Sequence, residues 1–210
     1  SMKFTIKSSI LADYLNVAAN LLKPNSTIIS ERYLKFVAAD KLEIHTATRE
    51  NYCILTISDV EIQEKGDCCI DVTSLSEYVK KISSAYPVTL QTDDDTLRIF
   101  FQKKKLKFGT ISTQNFTTRP LVSTVTDCLV LQKQDIVNIC SFASKIKLDE
   151  CRSPALTSVS FQAADDIICY FGDGTTMYKM RLAGTILKPT TINIPLSQVS
   201  EIKRFLSLAE

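Results

Sequence analysis

An α+β fold, made of repeated β-α-β-β-β units with helices laid against antiparallel sheets, is what this 210-residue sequence predicts. Three observations carry the prediction. The chain repeats itself at a spacing of 125 residues, two segments in each copy have the apolar period of an amphipathic helix, and most of the remainder alternates with the period of a strand.

The repeat is visible by direct superposition. FTIKSSILADYLNVAANLLK (4–23) lies over LVLQKQDIVNICSFASKIKL (129–148), so that Ile6 meets Leu131, Leu11 meets Ile136, Leu15 meets Cys140, Ala18 meets Ala143 and Leu21 meets Ile146. The same spacing sets FVAADKLEI (36–44) over FQAADDIIC (161–169), with F-x-A-A-D identical in both. With a slip of two or three residues, CIDVTSLSEYVKKI (69–82) resembles TINIPLSQVSEIKRF (191–205). This period is too long for a solenoid and reads as two copies of one domain, 1–121 and 122–210.

In the first copy Lys3–Ile6 alternates as a short strand. Residues 9–22 form a helix ended by Lys23-Pro24-Asn25. Strands follow around Leu34, Phe36 and Ala38, around Leu42 and Ile44, and around Cys53, Leu55 and Ile57. A strand at 68–72 leads into a helix capped by Thr73, with Leu75, Tyr78, Val79 and Ile82 as its apolar stripe, and strands at 88–92, 96–102 and 105–110 complete the copy. The second copy runs strand, helix 133–147, strands 156–163, 166–171, 176–183 and 190–194, and helix 196–208. The last three strands of copy one have no counterpart. The expectation is therefore a second domain truncated after its second helix, in a protein that continues; the alternative is a natural short form.

Composition excludes several classes. The chain is 45% hydrophobic and 23% charged, enough to fill a core, and its net charge of +2 decides nothing about partners. No run approaches the about 20 apolar residues of a membrane span, and the start lacks a secretory signal. Seven cysteines without a C-x-x-C read as reduced, mostly buried thiols of a cytoplasmic protein. His45 is the only histidine, which removes a histidine triad or a multi-histidine metal site. With no phosphate loop and no nucleophile elbow either, the chain reads as non-enzymatic, with no cofactor and no metal.

Cations gather on the polar faces of the helices. Asn16, Asn20 and nearby Lys23 lie opposite the first apolar stripe; the equivalent helix of the second copy offers Lys133, Asn138, Ser141 and Lys145, then Lys147 and Arg152 beyond it; Lys80-Lys81 and Lys203-Arg204 fall at matching positions of the second helices. Each is also what a solvated helix face carries. Lys103-Lys104-Lys105 and Asp93-Asp94-Asp95 both read as hairpin turns.

The arrangement resembles the bacterial beta sliding clamp, the DNA polymerase III beta subunit family, over essentially the whole chain. M-K-F-T-I-K with the helix after it resembles the family's opening. Asn25-Ser26-Thr27-Ile28-Ile29 stands at its T-L-P-I-L turn, and Leu42-Glu43-Ile44-His45-Thr46-Ala47-Thr48-Arg49-Glu50 resembles L-x-L-x-A-T-D-L-E. Asn115-Phe116-Thr117-Thr118-Arg119-Pro120 occupies the linker, and Phe171-Gly172-Asp173-Gly174-Thr175-Thr176-Met177 resembles A-T-D-G-H-R-L. The turn proline is absent, Arg49 stands for an Asp, and Thr175-Thr176 replace His-Arg, marking a divergent member.

The resemblance implies a DNA clamp fold with sheets outside and helices on the inner face, covering the first domain and most of the middle one, with the third domain absent. It implies a processivity factor that encircles double-stranded DNA as a homodimer ring in the full-length protein. Lys23, Lys80, Lys81, Lys145, Lys147, Arg152, Lys203 and Arg204 would then meet phosphates. It also implies a pocket for short peptides of the polymerase and clamp loader, half of it formed by Arg152, Pro154, Gly174, Thr175 and Met177; Met177 reads equally as core packing in a strand. Other readings are a clamp-fold scaffold or regulator that does not encircle DNA, and a two-domain trimeric clamp, against which the shortened second copy argues.

Overall fold

The computed structural model describes residues 1–49, 51–116, 128–147 and 157–208, and the chain divides into two compact units, Ser1–Leu121 and Val122–Glu210.

The first unit runs β1 (Lys3–Lys7), α1 (Ser8–Leu21), β2 (Tyr33–Ala38), β3 (Leu42–Ala47), β4 (Tyr52–Ile57), β5 (Glu61–Glu64), β6 (Gly66–Asp71), α2 (Val72–Lys81), β7 (Pro87–Asp93), β8 (Thr96–Phe101) and β9 (Lys104–Gly109). These strands form two antiparallel sheets, ordered β5-β1-β7-β8-β9 and β4-β3-β2-β6. Alternation decides which face is buried. Phe4, Ile6, Val88, Leu90, Leu97 and Ile99 bury from the first sheet, and Leu34, Phe36, Leu42, Ile44, Leu55 and Ile57 from the second. The rings of Phe4 and Phe36 meet with centroids 5.6 Å apart, so the two sheets share one core. α1 and α2 pack on each other and bury Leu11, Leu15, Ala18, Leu75 and Val79. Buried Ser8 ties the start of α1 to the end of α2, its hydroxyl donating to the carbonyls of Ile82 and Ser84.

Local chemistry departs from expectation at four points. Asp71, not Thr73, caps α2: its carboxylate accepts the Thr73 backbone N–H at 2.8 Å, because the helix begins one residue after the strand ends. β5 adds a strand that its polar sequence, Glu-Ile-Gln-Glu, does not announce; it is held to the edge of β1 by backbone pairing. Of the three lysines expected in a turn, Lys103 follows Gln102 (φ 52°) in the turn, while Lys104 and Lys105 belong to β9. Beyond β9 the chain crosses the second sheet: Ile111 bridges Cys69, and Phe116 is buried with Cys69 and Ala47. Asp94 (φ 50°) does lie in a turn, and Asp93 pairs with Arg98.

The second unit runs β10 (Leu129–Leu131), α3 (Lys133–Ala143), β11 (Ser158–Ala163), β12 (Ile167–Gly172), β13 (Met177–Leu182), β14 (Gly184–Ile186), β15 (Thr190–Pro195) and α4 (Val199–Leu206). β13-β12-β11-β15 form one sheet and β10-β14 another. β11, β12 and β13 begin 125 residues after β2, β3 and β4. The register repeats too: Phe36 faces Ile44 as Phe161 faces Cys169. The return strand is offset by 124 instead, since Phe36 faces Cys68 while Phe161 faces Ile192. α3 ends sooner than expected, and the first turn of the last helix, Leu196–Gln198, is a 3-10 turn.

All six described cysteines are free; Cys151 lies outside the described residues. Burial pushes the Cys69 thiol up to about 11 and that of Cys169 to about 12, so both stay protonated and inert.

Two measurements test this core. Phe161→Ala should destabilise the protein by roughly 3–5 kcal/mol in denaturant unfolding, the cost of a cavity between two sheet partners and a helix layer. Glu31 is buried, and its carboxylate accepts from the Ser26 hydroxyl and then from the Arg49 N–H, which hold it below the usual glutamate range. Its contribution is therefore present above the ordinary glutamate pKa and lost as pH falls through the lowered folded-state value. The stability gap between wild type and Glu31→Gln should be full at neutral pH and close on acidification.

Candidate functional site

The helices of both units carry the candidate contacts. On α1 the exposed residues are Asp13, Asn16 and Asn20, and the nearest cation is exposed Lys23 beyond its end. α2 exposes Thr73, Ser74, Glu77, Lys80 and Lys81; the last two fall in its final turn, where helix carbonyls favour positive charge. Lys133, Gln134 and Asn138 are exposed on α3, with Lys145 and Lys147 just past it. α4 exposes Ser200, Lys203, Arg204 and Phe205. Arg152 lies outside the described residues, as does Pro154.

The cation pairs of the second helices are not at matching positions. Tyr33 faces Asp71 as Ser158 faces Pro195, so the 124 offset carries into the helices. Buried Val72 and Leu75 then correspond to buried Leu196 and Val199. Arg204 matches Lys80, Lys203 stands where the first unit has fully buried Val79, and Phe205 stands where it has Lys81. The slip is one residue, smaller than the sequence comparison suggested, because the shorter β15 connection is invisible in a gapless overlay.

A cleft of about 240 Å³ opens in the second unit, lined by Phe142, Lys145, Ile146, Lys147, Phe171, Asp173 and Tyr178. The Phe171 and Tyr178 rings stack at 5.2 Å and 18°, and the Lys145 ammonium lies 5.5 Å from the centroid of Phe142. Phe142 is 55% exposed and Tyr178 44%, so the cleft offers aromatic faces under a basic rim. Gly174, Thr175 and Met177 flank it without lining it. Met177 is 60% exposed, which removes the core-packing reading. Gly174 takes φ 88° in a turn whose Asp173 carboxylate accepts the N–H groups of Thr176 at 2.7 Å and Thr175 at 2.9 Å, holding that carboxyl below the usual aspartate range. An exposed phenylalanine at a polar position of an amphipathic helix was the sequence signal for this cleft, and the expected residue set passed over it. The sole histidine is a partly buried network residue: its Nε2 meets Glu43 at 2.7 Å and its Nδ1 meets the Tyr52 hydroxyl at 2.8 Å.

The sequence profile of the DNA polymerase III beta subunit N-terminal domain matches residues 2–121. The chain belongs to the DNA polymerase III beta subunit family. Solved beta subunits share its fold at low identity, as a divergent member requires. A putative DNA polymerase III beta subunit from Eubacterium rectale superposes with a TM-score of 0.84 at 18% identity, over 100% of this chain and 57% of that one. The Bacillus subtilis sliding clamp gives 0.78 at 18%, over 97% and 56%. The Helicobacter pylori beta clamp bound to a DNA ligase peptide gives 0.78 at 15%, over 97% and 58%. This beta subunit family chain thus spans a little over half the length of those proteins. No curated protein matches it by sequence.

The turn beside the cleft is sterically tight: a Cβ on Gly172 would lie 2.5 Å from the Thr176 carbonyl oxygen. Gly172→Ala should therefore cost roughly 1–3 kcal/mol in denaturant unfolding, more than the same change at Gly109, where a Cβ meets nothing within 4 Å.

Proposed function

We propose that this protein is a DNA sliding clamp, a non-catalytic, cytoplasmic processivity factor that encircles duplex DNA as a homodimer ring in its full-length form and tethers a polymerase. The observation that carries this reading is the recurrence of an exposed cation at one repeat position of both second helices, Lys80 and Arg204, with Lys81 and Lys203 beside them. A sliding protein needs mild, sequence-blind attraction to phosphates and no base contacts that would stop it. Flexible lysines scattered on polar helix faces supply that attraction. Lys23, Lys133, Lys145 and Lys147 add to the same field, and Arg152 is proposed with them. Short peptides of the polymerase and clamp loader would dock at the cleft beside Gly174, Thr175 and Met177, and Arg152 and Pro154 are proposed to join these residues in peptide binding. The H. pylori clamp bound to a DNA ligase peptide supports this part.

The exposed surface of α1, made of Asp13, Asn16 and Asn20, favours a second reading, a clamp-fold scaffold that does not encircle DNA. Loading onto nicked circular DNA separates the two. A clamp stays bound until the circle is cut; a scaffold is not retained at all. Reversing Lys80, Lys81, Lys203 and Arg204 to Glu should weaken retention, and the salt dependence should flatten by about one unit of slope for each phosphate no longer neutralised. Retention unaltered by the fourfold reversal would remove these residues from the DNA path.

A further inference from the structure

The two faces of the first unit's β5-β1-β7-β8-β9 sheet differ in kind. One is turned to the core. On the other, register places Lys107, Arg98, Gln91 and Lys3 side by side on β9, β8, β7 and β1, a row about 14 Å long that ends at Glu64 on β5. The next row is Lys105, Phe100, Thr89 and Thr5. Lys105 and Lys107 are exposed, and the Lys105 ammonium lies 5.3 Å from the centroid of the half-buried Phe100 ring. Arg98 and Lys107 stand directly opposite each other, a relation in which like charges cost stability; Asp93 pairs with Arg98 from the margin of the face.

A lysine-bearing edge strand also resists pairing with another sheet. That role covers Lys105 and Lys107 but not Arg98 and Lys3, which stand on interior strands. Nor do all edges carry such charge. The edge strand β4 points Ile54 and Thr56 away from the core, where β13 of the second unit points Lys179 and Arg181. There Lys179 lies 5.8 Å from the ring of Tyr170 on the neighbouring strand.

These residue types select a ligand. Lysine, arginine, threonine and glutamine side chains all donate to phosphate oxygens. No large apolar side chain of these five strands is exposed, so a protein partner would find no anchor. A duplex hides its bases, whereas a single strand can lay one on the Phe100 ring once Lys105 moves from the ring to a phosphate.

We propose that this sheet face binds single-stranded nucleic acid, as a site apart from the helix cations assigned to the duplex. Lys3, Arg98, Lys105 and Lys107 take phosphates, and Phe100 takes a base. Charge and stacking of this sort tolerate any sequence.

Fluorescence anisotropy of a labelled oligothymidylate of about 20 nucleotides, titrated with the 210-residue chain at low salt, tests the site. Lys105→Glu with Lys107→Glu should weaken binding roughly tenfold or more, and the salt slope should fall by about 0.7 for each lysine removed. Phe100→Leu keeps an apolar side chain; it should weaken oligothymidylate binding roughly fivefold and leave binding of an equally long duplex unchanged. Lys80→Glu with Arg204→Glu on the helices should cost less than the sheet pair does. Absence of binding, or an equal loss from the helix pair, would overturn the proposal. Tighter binding of the duplex without response to Phe100→Leu would overturn it in favour of double-stranded nucleic acid, and tighter binding of a polyglutamate peptide in favour of an acidic protein. No circular DNA and no loader enter the assay, so its failure and failure of the clamp reading are distinguishable.

Discussion

Phe36 and Phe161 each stand on a strand flanked by two others, Phe36 facing core Ile44 and Cys68 and Phe161 facing core Cys169 and exposed Ile192, and the register of those strands governs the rest of each unit. The identical F-x-A-A-D segments now have a physical meaning. The Phe fills the core, and Ala38 or Ala163 closes the strand against it. The next two residues turn the chain, with the Ala39 N–H donating to the Lys41 carbonyl and the Ala164 N–H to that of Asp166. A slip of one residue would send Phe36, Ile44 and Cys68 to the solvent face together, so register is strongly specified here.

From that register follows the placement of the helices, and from the helices the placement of charge. α1 packs on α2 and α3 on α4, which turns Lys80, Lys81 and Arg204 to solvent and leaves Lys203 at the margin of the buried stripe beside Cys140. The charges are few and exposed, unsuited to holding one ligand in one geometry. That is a poor basis for catalysis and a good one for loose contact with a uniform polyanion. The aromatic cleft beside the Asp173 turn has the opposite character, with stacked rings and a rigid turn suited to a specific side chain.

Where the two copies differ, the difference is chemical. Val79 becomes Lys203, Lys81 becomes Phe205 and Leu15 becomes Cys140. At these positions the first unit buries Leu15 and Val79, whereas the second sets the Lys203 cation beside the Cys140 thiol.

The sequence by itself determined the two-fold repeat, the identity of nearly every long element and the alternating core positions. These depend on periodicities of 2 and 3.6 residues, which a chain displays locally whatever it packs against. Tertiary structure alone decided four things: that β5 joins an edge, that Phe116 lies across a sheet, that Lys203 rather than Arg204 takes the place of a core valine, and that Phe142 and Tyr178 enclose a cleft. Each rests on contacts between residues far apart in the chain, where an insertion or deletion of a single residue shifts which side chain faces the core and leaves no mark on the local pattern.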